Sequence, residues 1–183
     1  MAYARQYDVS EVKGMLMIAE GSANITSFRV FEAAQKAKGK AASFSKAPAA
    51  HAGTLHASQT ATALSKRADT GPAQTSTFKD FDTLVLATTE ALNHANGQAA
   101  LALLDGGAID ATFNAPLAAN KYFGSRATRM GKKKSGNVVA EPYMVASEVF
   151  VKVVCFVAGK LWIQTSYPSK MNERALPSLA QLP

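Results

Sequence analysis

Apolar positions recur at helical spacing through the first hundred or so residues and alternate with polar ones after residue 109. Ser10 is placed to cap a short helix whose Val12, Met15, Leu16 and Ala19 share one face and which stops before Gly21. A second helix is expected over 27–38, with Phe28, Val30 and Phe31 as its few anchors. The run KGKAASFSKAPAA has no period and reads as a linker, which puts a domain boundary near residue 48. A short helix over 58–68 follows, closed by the DTGP turn at 69–72. In STFKDFDTLVLATTEALNHANG, Phe81, Leu84, Val85, Thr88 and Leu92 fall on one helical face, with Asp80 or Asp82 at the start favouring the dipole. Gly97 is expected to break that helix before a shorter apolar one in GQAALALLDGG.

The alternating half predicts strands over 109–114, 120–128, 137–145, 147–157 and 160–167, the last two joined at Ala158-Gly159-Lys160. Pro168 is expected to end the final strand. Helices first and antiparallel strands second predict an α+β domain with helices on one side of a sheet. The expected organisation is a helical extension and linker over 1–48, the domain over 49–168 and a tail over 169–183.

At 183 residues and 48% hydrophobic positions the chain is long and apolar enough to bury one sizeable core. No apolar run approaches the ~18 residues of a membrane helix, and the N-terminal MAYARQYDVSEVKG lacks the apolar stretch of a secretory signal. A single cysteine, Cys155, precludes an internal disulfide and a multi-cysteine metal cluster, and its setting in VKVVCFVAG predicts burial. The net charge of +7 is unevenly spread: residues 119–183 hold ten Lys/Arg against three acids, whereas residues 51–118 hold three against six. Such a skew suits a polyanionic partner, nucleic acid first and an acidic protein second, with a merely solvated basic surface as the alternative.

Two of the three histidines lie together in HAGTLH, as His51 and His56, the side chains there suited to proton exchange near neutral pH. Neither has the spacing or the neighbours of a metal site. His94 sits at a helix end and reads as a solvent-facing cation. No P-loop, dinucleotide fingerprint or nucleophile elbow is present. Acid–base chemistry without a metal or cofactor remains, or binding alone.

HAGTLH at 51–56, LSKR at 64–67, TSTF at 75–78 and TSYP at 165–168 occur in this order. Together they resemble the ribonuclease A-like toxin domain at the C-termini of bacterial contact-dependent growth-inhibition proteins and related polymorphic toxins. That family's pattern is a glycine-containing HxxxxH, an LxxR helix, an S/T-x-F helix start and a closing T-A-Y-P strand. The match spans residues 51–168 and departs from the pattern at Ser166, where alanine is usual, and at Ala57, where a β-branched residue is usual. The resemblance implies a ribonuclease A-like fold and metal-independent cleavage of RNA by 2′-OH attack, leaving a 2′,3′-cyclic phosphate. It implies His56 as the catalytic histidine, Arg67 as a phosphate-binding residue, Thr165 and Tyr167 as active-site residues on the last strand, and His51 as the other histidine of the pair. It further implies a monomeric toxin acting in the cytoplasm of a target bacterium and neutralised by an immunity protein, for which the basic charge suggests an acidic surface.

The chemistry needs a base for the 2′-OH, an acid for the leaving oxygen and a cation for the phosphate. A histidine suits the first and an arginine fork the third. The acid is open between Tyr167 and His51. Thr165 and Tyr167, two apart on a strand, should share a face ~7 Å apart, with Trp162 and Gln164 on the other. One continuous helix from His56 to Arg67 would hold them ~16 Å apart along its axis, so the helix must start after His56. Lys132, Lys133 and Lys134 in GKKKSG read as a hairpin tip that could contact RNA phosphates. Two other classes remain: a non-catalytic nucleic-acid-binding protein, and a virion or secretion-apparatus component.

Overall fold

The computed structural model describes residues 2–20, 50–108, 110–131, 137–155 and 161–173. In order these form α1 (Val9–Glu20), α2 (Ala52–His56), α3 (Ala61–Thr70), β1 (Gln74–Phe78), α4 (Phe81–Asn93), α5 (Ala95–Asp105), β2 (Asp110–Pro116), β3 (Tyr122–Met130), β4 (Asn137–Cys155) and β5 (Leu161–Asn172). The expected helix over 27–38, the boundary near 48, the turn at 158–160, Lys132–Lys134, the Cys155 side chain and the segment beyond 173 lie outside the described residues. None of the described helices is long and apolar enough to cross a membrane.

The fold is α+β, built on a curled antiparallel sheet. β4 organises it. Its first half pairs with β3, its second half pairs with β2 on the same edge, and β5 runs along the other edge. β1 pairs only with β3, through Gln74↔Thr128 to Phe78↔Gly124. The two strands expected over 137–145 and 147–157 are one strand. Its interruptions are a left-handed residue, Tyr143 at φ 61, and register shifts around Ser147, which curl the strand without ending it. Likewise β5 runs through Pro168 to Asn172. Proline is tolerated because Ser169 is bulged out beside it, and no ladder N–H is demanded there.

The main core lies between one sheet face and α1, α4 and α5. Ala111, Phe113, Val149, Val151, Val153 and Ile163 point inward from alternating strand positions and meet Leu84, Val85, Leu92, Leu101 and Leu104. The helical stripe read from the sequence is this inner face of α4, with Asp80 as its cap: the carboxylate accepts from the Thr83 N–H at 2.7 Å. α1 belongs to the same core through Val12, Met15 and Leu16. Its cap is Asp8 instead of Ser10, because the Asp8 carboxylate takes the Glu11 N–H at 2.8 Å while Ser10 merely donates to it. The chain before α1 is tied to the helix ends by reciprocal bonds between Tyr7 backbone and Asn93 amide, and by Asp105 accepting the Tyr3 and Ala4 N–H groups.

Three further expectations are corrected. The helices do not all lie on one side, because α3 packs on the opposite face of β1 and β3 through a small cluster of Leu64, Ala68 and Ala127. TSTF does not start a helix. It is β1, an edge strand whose β-branched Thr75 and Thr77 suit a sheet buried on both faces, and the helix starts only after Asp80. Finally, the break between α4 and α5 is made by His94, half-buried, whose Nδ1 accepts the Asn96 N–H while its own N–H closes α4. Gly97 follows the break and is required there by contact: a Cβ would lie 2.1 Å from the Ala91 carbonyl oxygen.

Gly124 permits β1 to lie against β3, since a Cβ there would sit 2.0 Å from the Thr77 carbonyl oxygen and 3.0 Å from the Met171 methyl. Gly124→Ala should therefore lower stability by about 1–3 kcal/mol. Gly14→Ala, in the middle of α1 with nothing within 4 Å, should raise it by about 0.5–1 kcal/mol. Chemical denaturation of the two variants checks the opposite signs.

Candidate active site

The site is assembled on the free edge of β1. In a strand the carbonyls of residues two apart point to the same edge, so Ser76 and Phe78 both present unpaired oxygens there. Phe78 O accepts from the Ser58 N–H at 3.1 Å, in an isolated parallel bridge between Ala57 and Phe78. Ser76 O lies 3.1 Å from Nδ1 of His56. A carbonyl only accepts, so Nδ1 carries the hydrogen and Nε2 of the neutral ring is left as a base. Ser58 takes a left-handed backbone, φ 56, as the chain turns away from this edge toward α3.

That turn separates α2 from α3 and meets the geometric requirement set by the sequence. His56 ends one helix, Arg67 sits in the next, and the chain between them folds back so that Arg67 Nη1 donates to the Leu55 carbonyl. One of five guanidinium N–H groups is used in this tether. His51 immediately precedes α2, its backbone N–H bonded to the Gln164 carbonyl of β5 at 3.0 Å. β5 contributes Tyr167, and a second link is Ser76 Oγ donating to Pro168 O at 2.6 Å.

His51, His56, Arg67 and Tyr167 thus line one cleft of about 280 Å³, joined by Pro72, Gln74, Thr75 and Ser76. Among the described residues no carboxylate lines it. The rings stand in a row: Phe150 stacks on Tyr167 at 5.0 Å, Tyr167 lies 4.9 Å from His56, and His56 lies 5.6 Å from His51. Thr165 shares the Tyr167 face of β5, pairing with Lys152 as Tyr167 pairs with Phe150, but it does not line the cleft. It is buried, and its hydroxyl has no hydrogen-bond partner among the described residues. Trp162 also shares this face, contrary to simple alternation, because three residues of β5 (163–165) span two of β4 and Gln164 is bulged. Ser166, on the core face, pairs its hydroxyl with Thr88 at 2.8 Å. Thr88 donates its own hydrogen to Leu84 O, so Ser166 is the donor to Thr88.

Burial dominates the electrostatics. His56 is only 7% exposed, and loss of water pushes its pKa down to about 4; the Ser76 bond opposes this, and the nearby Arg67 and His51 add to it. The ring is therefore neutral at pH 7. Burial also raises the Tyr167 phenol, which keeps its proton, and lowers the Arg67 guanidinium, which stays charged.

The sequence had pointed to four residues of this cleft. Its β1 wall, Gln74, Thr75 and Ser76, is not among them, because TSTF reads as a helix start and Gln74 falls in the unassigned residues before it. The signal available was two β-branched threonines at period two ahead of an Asp cap. Phe150, which backs Tyr167, gave no signal of its own.

No protein-family model and no curated protein matches the chain. A solved structure, the crystal structure of a CdiA-CT/CdiI complex from Y. kristensenii 33638, is similar over 63% of this chain and 95% of that chain, with 18% identity and a TM-score of 0.42.

The His56 environment fixes a pH dependence. Between about pH 6.5 and 4 the unfolded chain takes up a proton that the folded protein excludes, so stability is full above this window and falls as pH drops through it. The loss attributable to His56 is on the order of 3 kcal/mol. An NMR titration should place the imidazole midpoint near 4, and His56→Gln should remove that part of the acid slope.

Proposed function

We propose that the protein is an endoribonuclease that cleaves RNA without a metal, using the 2′-OH as nucleophile. The observation that carries this reading is the His56 ring, fixed by the Ser76 carbonyl with Nε2 as its basic nitrogen, in the cleft that Arg67 enters. His56 Nε2 takes the 2′-OH proton as that oxygen bonds to phosphorus. The bond from phosphorus to the 5′-oxygen breaks, and a proton is delivered to the departing oxygen. The products are a 2′,3′-cyclic phosphate and a free 5′-OH. Arg67 offers its remaining N–H groups to the non-bridging oxygens, where negative charge builds. Two cleft groups can supply the second proton, the Tyr167 hydroxyl and His51; burial keeps the Tyr167 proton in place at neutral pH. Thr165, buried two residues before Tyr167 on the same face of β5, supports the strand that presents the phenol.

A base held near pKa 4 is weak until the substrate arrives. A phosphate anion entering beside His56 favours its protonated form and raises its pKa toward the range in which general-base catalysis is efficient. Substrate charge thus turns a buried, inert imidazole into a proton acceptor.

The motifs extend the proposal to biology. Their resemblance to contact-dependent growth-inhibition toxins supports a monomeric antibacterial toxin that acts on RNA in the cytoplasm of a target cell. An acidic immunity protein covering the cleft would suit the basic charge of the chain. Lys132, Lys133 and Lys134 complete the proposal as RNA phosphate contacts.

Total RNA incubated with the purified protein in EDTA should be cut to fragments with cyclic phosphate ends, while DNA of the same sequence stays intact. His56→Ala should slow cleavage by about 10²–10⁴-fold. Of Tyr167→Phe and His51→Ala, the one that removes the acid should give a loss of similar size. Intact RNA with the wild-type protein, or undiminished cleavage by His56→Ala, sinks the proposal.

A further inference from the structure

We infer that Phe150 is a positioning residue of the cleft: its ring holds the Tyr167 phenol in place against His56. This inference rests on the ribonuclease reading and says what fixes one of the two groups able to supply the second proton. Phe150 stands apart from the other large apolar side chains. Its neighbours in β4, Val149 and Val151, are fully buried in the core, and alternation turns Phe150 to the other face of the sheet. There it is half-buried and belongs to neither hydrophobic cluster, so filling a core does not account for it. Across the two ladders it faces the exposed Asn114 of β2 and Tyr167 of β5. Residues directly opposite on antiparallel strands have Cβ atoms ~5 Å apart, close enough for side-chain contact. The Phe150 and Tyr167 rings stack at 5.0 Å with 29° between their planes.

Tyr167 needs such a partner. Among the described residues its hydroxyl makes no hydrogen bond that would fix the ring. The strand does not fix it either, since χ1 near 180° and near −60° are both common in strands. What brackets the phenol is a pair of rings, Phe150 at 5.0 Å and His56 at 4.9 Å. His56 is itself held by the bond from its Nδ1 to the Ser76 carbonyl. A series of contacts thus runs from β1 through His56 to Tyr167, and Phe150 closes it from the far end. Without that ring the phenol is held on one side only. Phe150 does not line the cleft, so it acts through Tyr167 and leaves the substrate untouched. A stacked aromatic pair shifts an equilibrium by about two- to twelvefold, which sets the size of the effect. The leaving oxygen needs its proton only in the transition state, so a misplaced phenol slows the chemical step and spares substrate binding.

Phe150→Leu and Phe150→Met remove the flat ring face and keep most of its volume, whereas Phe150→Tyr keeps the face. The nuclear Overhauser effect between the Tyr167 and His56 rings reports their contact without RNA. It should be clear in the wild type and Phe150→Tyr and weak in Phe150→Leu and Phe150→Met, while the His56 midpoint stays near 4 throughout. With RNA, Phe150→Leu and Phe150→Met should lower kcat about two- to twelvefold and leave KM unchanged, and Phe150→Tyr should cleave like the wild type. Added to Tyr167→Phe, neither should cost anything further, since no hydroxyl is left to place. An undiminished Overhauser effect in Phe150→Leu and Phe150→Met overturns the inference alone. So does an unaltered kcat, or a loss of the same size in the Tyr167→Phe background. A displaced His56 midpoint overturns it too, by showing that the whole cleft has loosened. A wild-type protein that leaves RNA intact overturns the ribonuclease reading, and this inference with it.

Discussion

β1 is hydrogen-bonded along one edge only, so the carbonyls of Ser76 and Phe78 on its other edge need donors from outside the sheet. Water could serve an exposed edge, but this strand is buried at Thr75, Ser76, Thr77 and Phe78, and an unpaired carbonyl there would cost about 1–3 kcal/mol. The chain meets the demand with the end of α2. Ser58 gives a backbone N–H to Phe78, and His56 gives a ring N–H to Ser76. The orientation of the His56 ring follows from satisfying a sheet edge, and the left-handed Ser58 follows from turning the chain so that both donors reach.

The same arrangement creates an opposition between packing and reactivity. Burial brings His56 against Tyr167 and lowers the local polarity, which strengthens the field of the Arg67 guanidinium on any anion in the cleft. It also strips the imidazole of the solvent that would stabilise its cationic form. The two effects are reconciled only by a ligand that carries negative charge. Beside His51 the cleft holds a neutral His56 ring, a protonated Tyr167 phenol and the Arg67 guanidinium.

Much of this was legible in the sequence, for definable reasons. The α4 stripe and the alternation of β2 arise from burial on one face, which leaves a period in the residue types. His51, His56, Arg67 and Tyr167 could be named because they stand in short motifs whose order is informative. What the sequence hid are features set by contact. β1 is too short for its period to compete with the adjoining helix, so the wall that orients His56 was lost with it. The Gln164 bulge moves Trp162 to the face of Thr165, and no alternation rule contains an inserted residue. Gly97 looked like a breaker because glycine often is one, whereas its role is to let α5 approach the carbonyls at the end of α4. Thr165 looked equivalent to Tyr167 by spacing, yet only the phenol reaches the cleft.

The links between β5 and the rest of the cleft have a bearing on how the chain is made. His51 is anchored to the Gln164 carbonyl, Ser76 to the Pro168 carbonyl, and Tyr167 is itself a wall. Gln164, Tyr167 and Pro168 come from the last of the described strands, while the histidines and arginine lie in or next to α2 and α3, more than ninety residues earlier. On a translating ribosome, the segments bearing His56 and Arg67 emerge long before the strand that completes their cleft. The nascent chain therefore carries the other residues of the cleft in scattered form, and the cleft closes only after β5 has left the exit tunnel.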